Sequence, residues 1–401
     1  MTFGCRLNRA EALDEEARYL SEGWELTDDH AEADRFVVRG CSVTARAERD
    51  CQKLIEHLRK KYPTKRVIVQ GCLKDKTTAP GAWATVLARR RRDETLAAAD
   101  DATVPVPTRT ARAYLKVQDG CAGKCTFCIV PQFRGASKSV DFTAALDKAR
   151  RFIDAGYREI VVTGCNLSLY ASQGKRLPDL LNALADLGAA DADRACRIRL
   201  GSVEPTAVAH EVVDVMATRP NVCKFLHLPI QSGSNRILLA MKRPYLLKDV
   251  ETLVQEASRR MPRLGLGCDL MTGFPGENEM DFLATESLLK RHPFTNAHVF
   301  PFSERPGTPA ATFPDSIPKP LRSTRAHRLA DLALQKQHAA AKRFRGHKVE
   351  VIIEDEKKQT GWTSEYFPFR RSSHALVGDP RPRKSLATFL VTDTRHGVLI
   401  G

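Results

Sequence analysis

Two periods of hydrophobic spacing run through this chain, and where they change divides it into three segments. Up to about Asp100, a helical pattern from about Ala10 to Ser21 leads to the apolar run RFVVRG (35–40). A second helical pattern, from about Thr44 to Lys61, leads to RVIVQG (66–71). Such alternation of helix and strand predicts a small parallel α/β sheet. The stretch AAADDATVPVPTRT (97–110) is small, polar and proline-containing, and reads as a linker. From residue 111, six strand-like runs follow: ARAYLKVQDG, REIVVTG, CRIRLGS, KFLHLPI, LGLGCDLMTG and NAHVFPF. Helix-length stretches such as DFTAALDKARRFIDAG separate them. Six βα-like units fall short of the eight of a closed barrel, so an open, partial (βα)6 barrel is expected. Function in such barrels sits at the C-terminal ends of the strands. Polar or Gly/Pro-rich tails stand there: TGCN, GSVEP, LPIQSGS, TGFPGE and PFSERPGTP. Beyond Gly346, short β-runs broken by turn residues predict a small antiparallel barrel.

Composition changes this picture in two ways. Hydrophobic residues make up 42% and charged residues 28% of 401 positions, as in a globular protein. No segment approaches the roughly 18 apolar residues a membrane helix needs. The N-terminus shows no basic-then-apolar leader, so a cytoplasmic location is expected, where thiols stay reduced. The net charge of +15 favours a polyanionic partner. Basic residues concentrate between Ile317 and Arg345, where Arg322, Arg325 and Arg328 recur at helical spacing. A second basic cluster lies at Arg89–Arg92. Both are expected to meet RNA rather than merely to solvate the surface.

The eleven cysteines then carry the chemistry. CAGKCTFCIV places Cys121, Cys125 and Cys128 in a C-x3-C-x2-C array just after a predicted strand. Three thiolates can hold three irons of a [4Fe–4S] cube and leave the fourth iron open. A structural zinc loop with a fourth ligand elsewhere is the competing reading. Cys41 and Cys72 each end an apolar strand, and Cys5 is expected to do the same. In a parallel sheet those ends gather on one edge, where three thiols can serve a second cube; buried structural cysteine is the plainer alternative.

The Cys121–Cys125–Cys128 array, with Phe127 before its last cysteine, resembles the radical S-adenosylmethionine signature. Together with TFGCRLN, VVRGCSVTARA, VIVQGCLKD, GYREIVVTGCNL, RIRLGSVEP, FLHLPIQSGSNRILLAMKRPY, DLMTGFPGENEMDF and VFPFSERPGTPAA, it resembles the radical S-adenosylmethionine methylthiotransferases over nearly the whole chain. TFGCRLN, RIRLGSVEP and VFPFSERPGTPA are most similar to the branch acting on N6-threonylcarbamoyladenosine beside the tRNA anticodon. The resemblance implies an α/β chain of three units. These are a methylthiotransferase domain (1–100), a radical S-adenosylmethionine barrel (107–340) and an RNA-binding TRAM-like barrel (344–401).

Two [4Fe–4S] clusters follow from the resemblance, one on Cys121, Cys125 and Cys128 and an auxiliary one on Cys5, Cys41 and Cys72. S-adenosylmethionine would yield a 5′-deoxyadenosyl radical, because C2 of adenine is too unactivated for acid–base chemistry. A methylthio group would then be delivered to C2. Cofactor-binding roles are expected for Phe127, Gly164, Asn166, Glu204, Gln231 and Phe300, each with a plain structural alternative. Implied partners are a tRNA anticodon arm, a low-potential electron donor and a sulfur source, with no membrane. Trp362, Tyr366 and Phe367 would stack on bases or fill the small barrel. The rival substrates are isopentenyladenosine in tRNA and a ribosomal-protein aspartate; a non-catalytic iron–sulfur RNA-binding protein is the rival of another class. Two features depart from the family pattern: only four residues precede Cys5, and Arg39 lies where an uncharged residue is usual.

Overall fold

The computed structural model of the chain describes residues 5–41, 43–72, 82–90, 110–372 and 381–401. Helix α1 (Arg6–Ser21) starts directly after Cys5 and is followed by β1 (Trp24–Leu26) and β2 (Arg35–Gly40). Next come α2 (Ala45–Lys61), β3 (Arg66–Gly71) and β4 (Ala82–Arg90). The Thr44 hydroxyl accepts a bond from the Ala47 amide and caps α2. Cys51, Ile55 and Leu58, spaced along one face of α2, pack on Phe36 and Val38 of β2. The expected parallel pair β2–β3 forms, in register from Arg35↔Arg66 to Gly40↔Gly71. The sheet order β1-β4-β2-β3 adds β4 as an antiparallel neighbour of β2. Its aromatic and β-branched residues favour a strand; reading its end only as a basic cluster missed this. The expected linker, apart from Thr110, and the strand expected before Cys5 lie outside the described residues, as do residues 373–380 of the C-terminal segment and Arg91–Arg92 of the second basic cluster.

All six expected barrel strands are present: β5 (Ala113–Lys116), β8 (Glu159–Thr163), β11 (Arg197–Leu200), β12 (Phe225–Gln231), β13 (Gly265–Thr272) and β14 (Asn296–Pro301). Short ribbons β6 (Gln118–Asp119)–β7 (Lys138–Ser139) and β9 (Ala171–Ser172)–β10 (Lys175–Arg176) lie between them. The strands form two parallel triplets, β5–β8–β11 and β12–β13–β14. Single bridges Ile198↔Val222 and Ser202↔His227 join the triplets. Helices α3 (Val130–Arg134), α4 (Phe142–Asp154), α5 (Leu177–Ala189), α6 (Ala207–Thr218), α7 (Asn235–Ala240), α8 (Leu247–Arg260), α9 (Glu279–Arg291) and α10 (Lys319–Lys342) complete this part. Alternation decides which side chains face the helices. Ile160, Val162, Ile198, Leu200, Leu226, Leu228, Leu266 and Leu270 join the large core, while Glu159, Arg197, Arg199, His227, Asp269 and His298 face inward. Helix α1 covers the β5 edge, where its Ala10 and Leu13 meet Tyr114 and Val161.

The C-terminal strands β15 (Lys348–Asp355), β16 (Thr360–Thr363), β17 (Pro368–Arg370), β18 (Leu386–Leu390), β19 (Asp393–Arg395) and β20 (Val398–Ile400) form one six-stranded sheet. Its pairs are antiparallel except β17–β20. This sheet closes the N-terminal end of the barrel. Glu159 accepts from Arg197 (2.7 Å) and Arg199 (2.7 Å), all three buried. The same guanidinium groups donate across to the carbonyls of Trp362 (2.8 Å) and Thr363 (2.8 Å). Burial opposes the charge on Glu159, yet Arg199 and Arg197 outweigh it and hold the carboxyl well below the usual range.

Candidate active site

The loop carrying Cys121, Cys125 and Cys128 lies beyond β5, at the C-terminal end of the barrel. Backbone bonds fix it there: Cys121 N donates to Gly135 O (3.1 Å), Thr126 N to Met241 O (3.1 Å) and Ala310 N to Thr126 O (2.9 Å). Behind it runs a chain of polar groups. Arg243 Nη1 donates to Cys125 Sγ (3.1 Å) and Nη2 to Glu204 Oε1 (2.7 Å). The other oxygen of Glu204 accepts from Asn166 Nδ2 (3.0 Å). Thus the structure brings Cys125, Glu204 and Asn166 into one network, through an arginine that carried no signal in the sequence. Gln118, fully buried, is a second residue missed there: its Oε1 accepts from Asn166 N (2.8 Å) and its Nε2 donates to Gly120 O (2.7 Å).

The remaining expected positions fall around this network. A Cβ on Gly164 would lie 2.9 Å from the Gln118 side chain, so that glycine makes room for Gln118. Gln231 ends β12 with φ 73°, and its buried Oε1 lacks a hydrogen-bond partner. Such a conformation and such an orphan atom are costly in a plain core position. Phe127 and Phe300 both pack against the group of Ile237, Met241, Met271, Phe274, Phe302 and Ala310. Burial pushes the Cys128 thiol up to about 11, with its cysteine neighbours adding to the effect; Cys125 is also raised, chiefly by burial.

The second triad is assembled by strand register. Gly40 and Gly71 are partners at the ends of β2 and β3, so Cys41 and Cys72, one residue on, lie side by side. Cys72 N donates to Gly40 O (2.9 Å). Asn8 Nδ2 donates to the same oxygen (3.1 Å) and brings Cys5, at the start of α1, to this edge. Burial, then the nearness of Cys5, pushes the Cys41 thiol up to about 12.

Arg134, six residues after Cys128 and at the end of α3, reaches the second triad. Its Nε donates to Cys72 Sγ (3.0 Å), and its Nη1 donates to Glu11 (2.8 Å) and Asp119 (2.9 Å). Its Nη2 donates to Asn8 Oδ1 (2.9 Å). Burial works against the charge of Asp119, but Lys116 and Arg134 hold its carboxyl down at about 2. Arg39, which stands where the family usually has an uncharged residue, is paired with Glu11 (2.9 Å) and Glu15 (3.1 Å).

Two family models match the chain: the radical SAM superfamily over residues 115–289 and the uncharacterized protein family UPF0004 over residues 1–82. The threonylcarbamoyladenosine tRNA methylthiotransferase MtaB of Bacillus subtilis is 31% identical, with 91% of this chain and 88% of that protein covered. The chain belongs to the radical S-adenosylmethionine methylthiotransferase family. A tRNA-2-methylthio-N(6)-dimethylallyladenosine synthase of Corynebacterium diphtheriae is 32% identical over 100% of this chain and 85% of that protein. Among solved structures, the radical S-adenosylmethionine methyltransferase TsrM of Kitasatospora setae is similar, with a TM-score of 0.44, 18% identity, and 55% of this chain and 39% of that one covered.

Members of this methylthiotransferase family use S-adenosylmethionine and two [4Fe–4S] clusters. The residues present fit both. Gly123 N donates to Cys121 Sγ (3.3 Å), and a Cβ on Gly123 would stand 3.1 Å from that sulfur and 3.8 Å from Cys125 Sγ. That glycine keeps a hollow open between two of the sulfurs. Each triad has one sulfur bonded by a guanidinium, a donor suited to thiolate rather than thiol.

The expectations for RNA contact are changed by the structure. Arg322 and Arg325 are buried and paired, Arg322 with Glu304 (2.8 Å) and Arg325 with Glu277 (2.7 Å). Arg328 is bonded to Glu286 (2.5 Å). These three lock α10 to the barrel. Phe367 is core of the C-terminal sheet. Trp362 and Tyr366 stack on each other (4.5 Å, 19°), and Tyr366 meets Phe225 (4.7 Å) at the barrel's closed end. Cys51, Cys196, Cys223 and Cys268 are buried, as small apolar residues would be, and the Cys165 thiol lies 3.5 Å from Asp119 Oδ1. Among the described residues no helix is long and apolar enough to cross a membrane.

Proposed function

We propose that this enzyme methylthiolates C2 of N6-threonylcarbamoyladenosine next to the tRNA anticodon. The observation that carries this reading is the match to the Bacillus subtilis threonylcarbamoyladenosine enzyme over most of both chains. Cys121, Cys125 and Cys128 would hold one iron–sulfur cluster, and Cys5, Cys41 and Cys72 the other. When bound, the clusters and S-adenosylmethionine supply the one-electron chemistry and the sulfur that an unactivated C–H position demands. The protein's own residues orient and shield. Glu204 and Asn166, held by Arg243 and Gln118, offer carboxylate and amide groups to an amine or ribose. The unpartnered Gln231 carbonyl is an acceptor at the same rim. Phe127 and Phe300 provide an apolar wall suited to an adenine. Gly164 acts indirectly, by leaving space for Gln118. Units at 1–100, 107–340 and 344–401 divide this work into sulfur holding, radical chemistry and RNA contact.

The test is anaerobic reconstitution followed by incubation with tRNA carrying either N6-threonylcarbamoyl- or isopentenyladenosine, read by nucleoside mass spectrometry. The threonylcarbamoyl nucleoside should gain the methylthio group. Modification of only the isopentenyl nucleoside would replace this substrate with that of the dimethylallyladenosine relatives.

A further inference from the structure

On the inner wall of the barrel, three donor side chains converge from three neighbouring strands: His227 of β12, Asp269 of β13 and His298 of β14. His227 Nε2 lies 3.1 Å from Asp269 Oδ1, and His298 Nδ1 lies 3.2 Å from the same oxygen. The ligand atoms all fall within 4.8 Å of one another. None of these residues belongs to either cysteine triad or to the Glu204–Asn166–Arg243 network. We propose that His227, Asp269 and His298 form a site for one divalent first-row transition-metal ion, separate from the iron–sulfur clusters.

Nitrogen and oxygen ligands sit about 2.0–2.2 Å from zinc and similar ions. Two such ligands at tetrahedral or octahedral angles are then about 3.0–3.5 Å apart. The two observed separations fall in that interval. Two imidazoles and one carboxylate are also a set that takes divalent metals while leaving coordination positions open. Those positions would go to water or to an oxygen of a bound molecule.

The backbone fixes the arrangement. Asp269 and His298 are direct partners in the parallel register, and His227 pairs with Gly267, two residues before Asp269. A Cβ at Gly267 would lie 2.5 Å from His227 Nδ1, so only glycine lets that ring lie against the strand. The His227 and His298 rings stand 5.4 Å apart. His227 is buried, whereas the His298 side chain is 64% exposed on the last barrel strand, so an ion has a route in from that side.

The alternative is a carboxylate that accepts hydrogen bonds from two imidazoles and binds nothing. Metal analysis of the reconstituted enzyme separates the two. The protein, loaded with both clusters, is dialysed anaerobically against Zn(II), freed of excess metal, and its zinc and iron are counted. About one zinc per chain should remain on the wild type. H298A and D269N should lose it at unchanged iron content. Even outer-shell partners are typically worth about 10–100-fold in metal affinity, so losing a ligand should weaken binding at least that much. His298 is exposed, so H298A should fold whatever D269N does. Zinc-edge X-ray absorption should read nitrogen and oxygen ligands without sulfur. Equal zinc on wild type and H298A, or sulfur at about 2.3 Å, would overturn the proposal by placing the metal on the thiols.

Discussion

Arg134 binds a sulfur of one triad while sitting at the end of the loop that carries the other. Four groups depend on it: Cys72, Asn8, Glu11 and Asp119. Its side chain is 8% exposed, so the charges it faces have little water to turn to. Removing one partner of such a buried pair costs about 3–5 kcal/mol. R134Q should therefore lower the unfolding free energy by that order and reduce the iron retained by the Cys5–Cys41–Cys72 edge. Chemical denaturation and iron counting read both effects; unchanged values would show that Arg134 is a bystander. Neither Arg134 nor Arg243 was legible as a site residue in the sequence. Cysteine spacing is a local pattern, while a lone arginine acquires meaning only when the fold carries it to a sulfur. Gln118 was silent for the same reason.

At the scale of elements, the decisive contact is Glu159 of β8 between Arg197 and Arg199 of β11. The E159Q variant would leave two buried guanidinium groups without their carboxylate, again about 3–5 kcal/mol of stability. A hydrophobic replacement of all three need not be destabilising. The pH dependence has a definite sign. Glu159, Glu11 and Asp119 have folded-state pKa values depressed below their ordinary ones. Their stabilisation is present above the ordinary carboxylate range and is lost as pH falls through it toward about 2, where Asp119 titrates. Urea midpoints measured downward from neutral pH should fall, and E159Q should flatten part of that fall. Short apolar runs bounded by Gly, Pro and polar residues made all six barrel strands and the β2–β3 pair readable in advance, because strands buried on both faces carry such runs. The role of α10 was not. Spacing puts Arg322, Arg325 and Arg328 on one face, but it cannot say whether that face meets RNA or the acids of the barrel.

For the whole molecule, two thiol triads lie in separate parts of the chain, and Arg134, six residues after the last cysteine of one, bonds a sulfur of the other. If each holds its own cluster, replacing Cys5, Cys41 and Cys72 together by serine should halve the iron, from about eight to about four per chain. Reductive cleavage of S-adenosylmethionine should persist in that variant, and methylthio transfer should cease. Loss of all iron instead would mean that the two sites do not load independently. The proposed reaction places a methylthio group on threonylcarbamoyladenosine in tRNA. Nucleoside mass spectrometry of tRNA treated with the reconstituted enzyme tests it most directly. A 2-methylthio derivative of N6-threonylcarbamoyladenosine should form, and only when S-adenosylmethionine and a reductant are present. A tRNA whose threonylcarbamoyladenosine stays unmodified, while S-adenosylmethionine is cleaved, would contradict it.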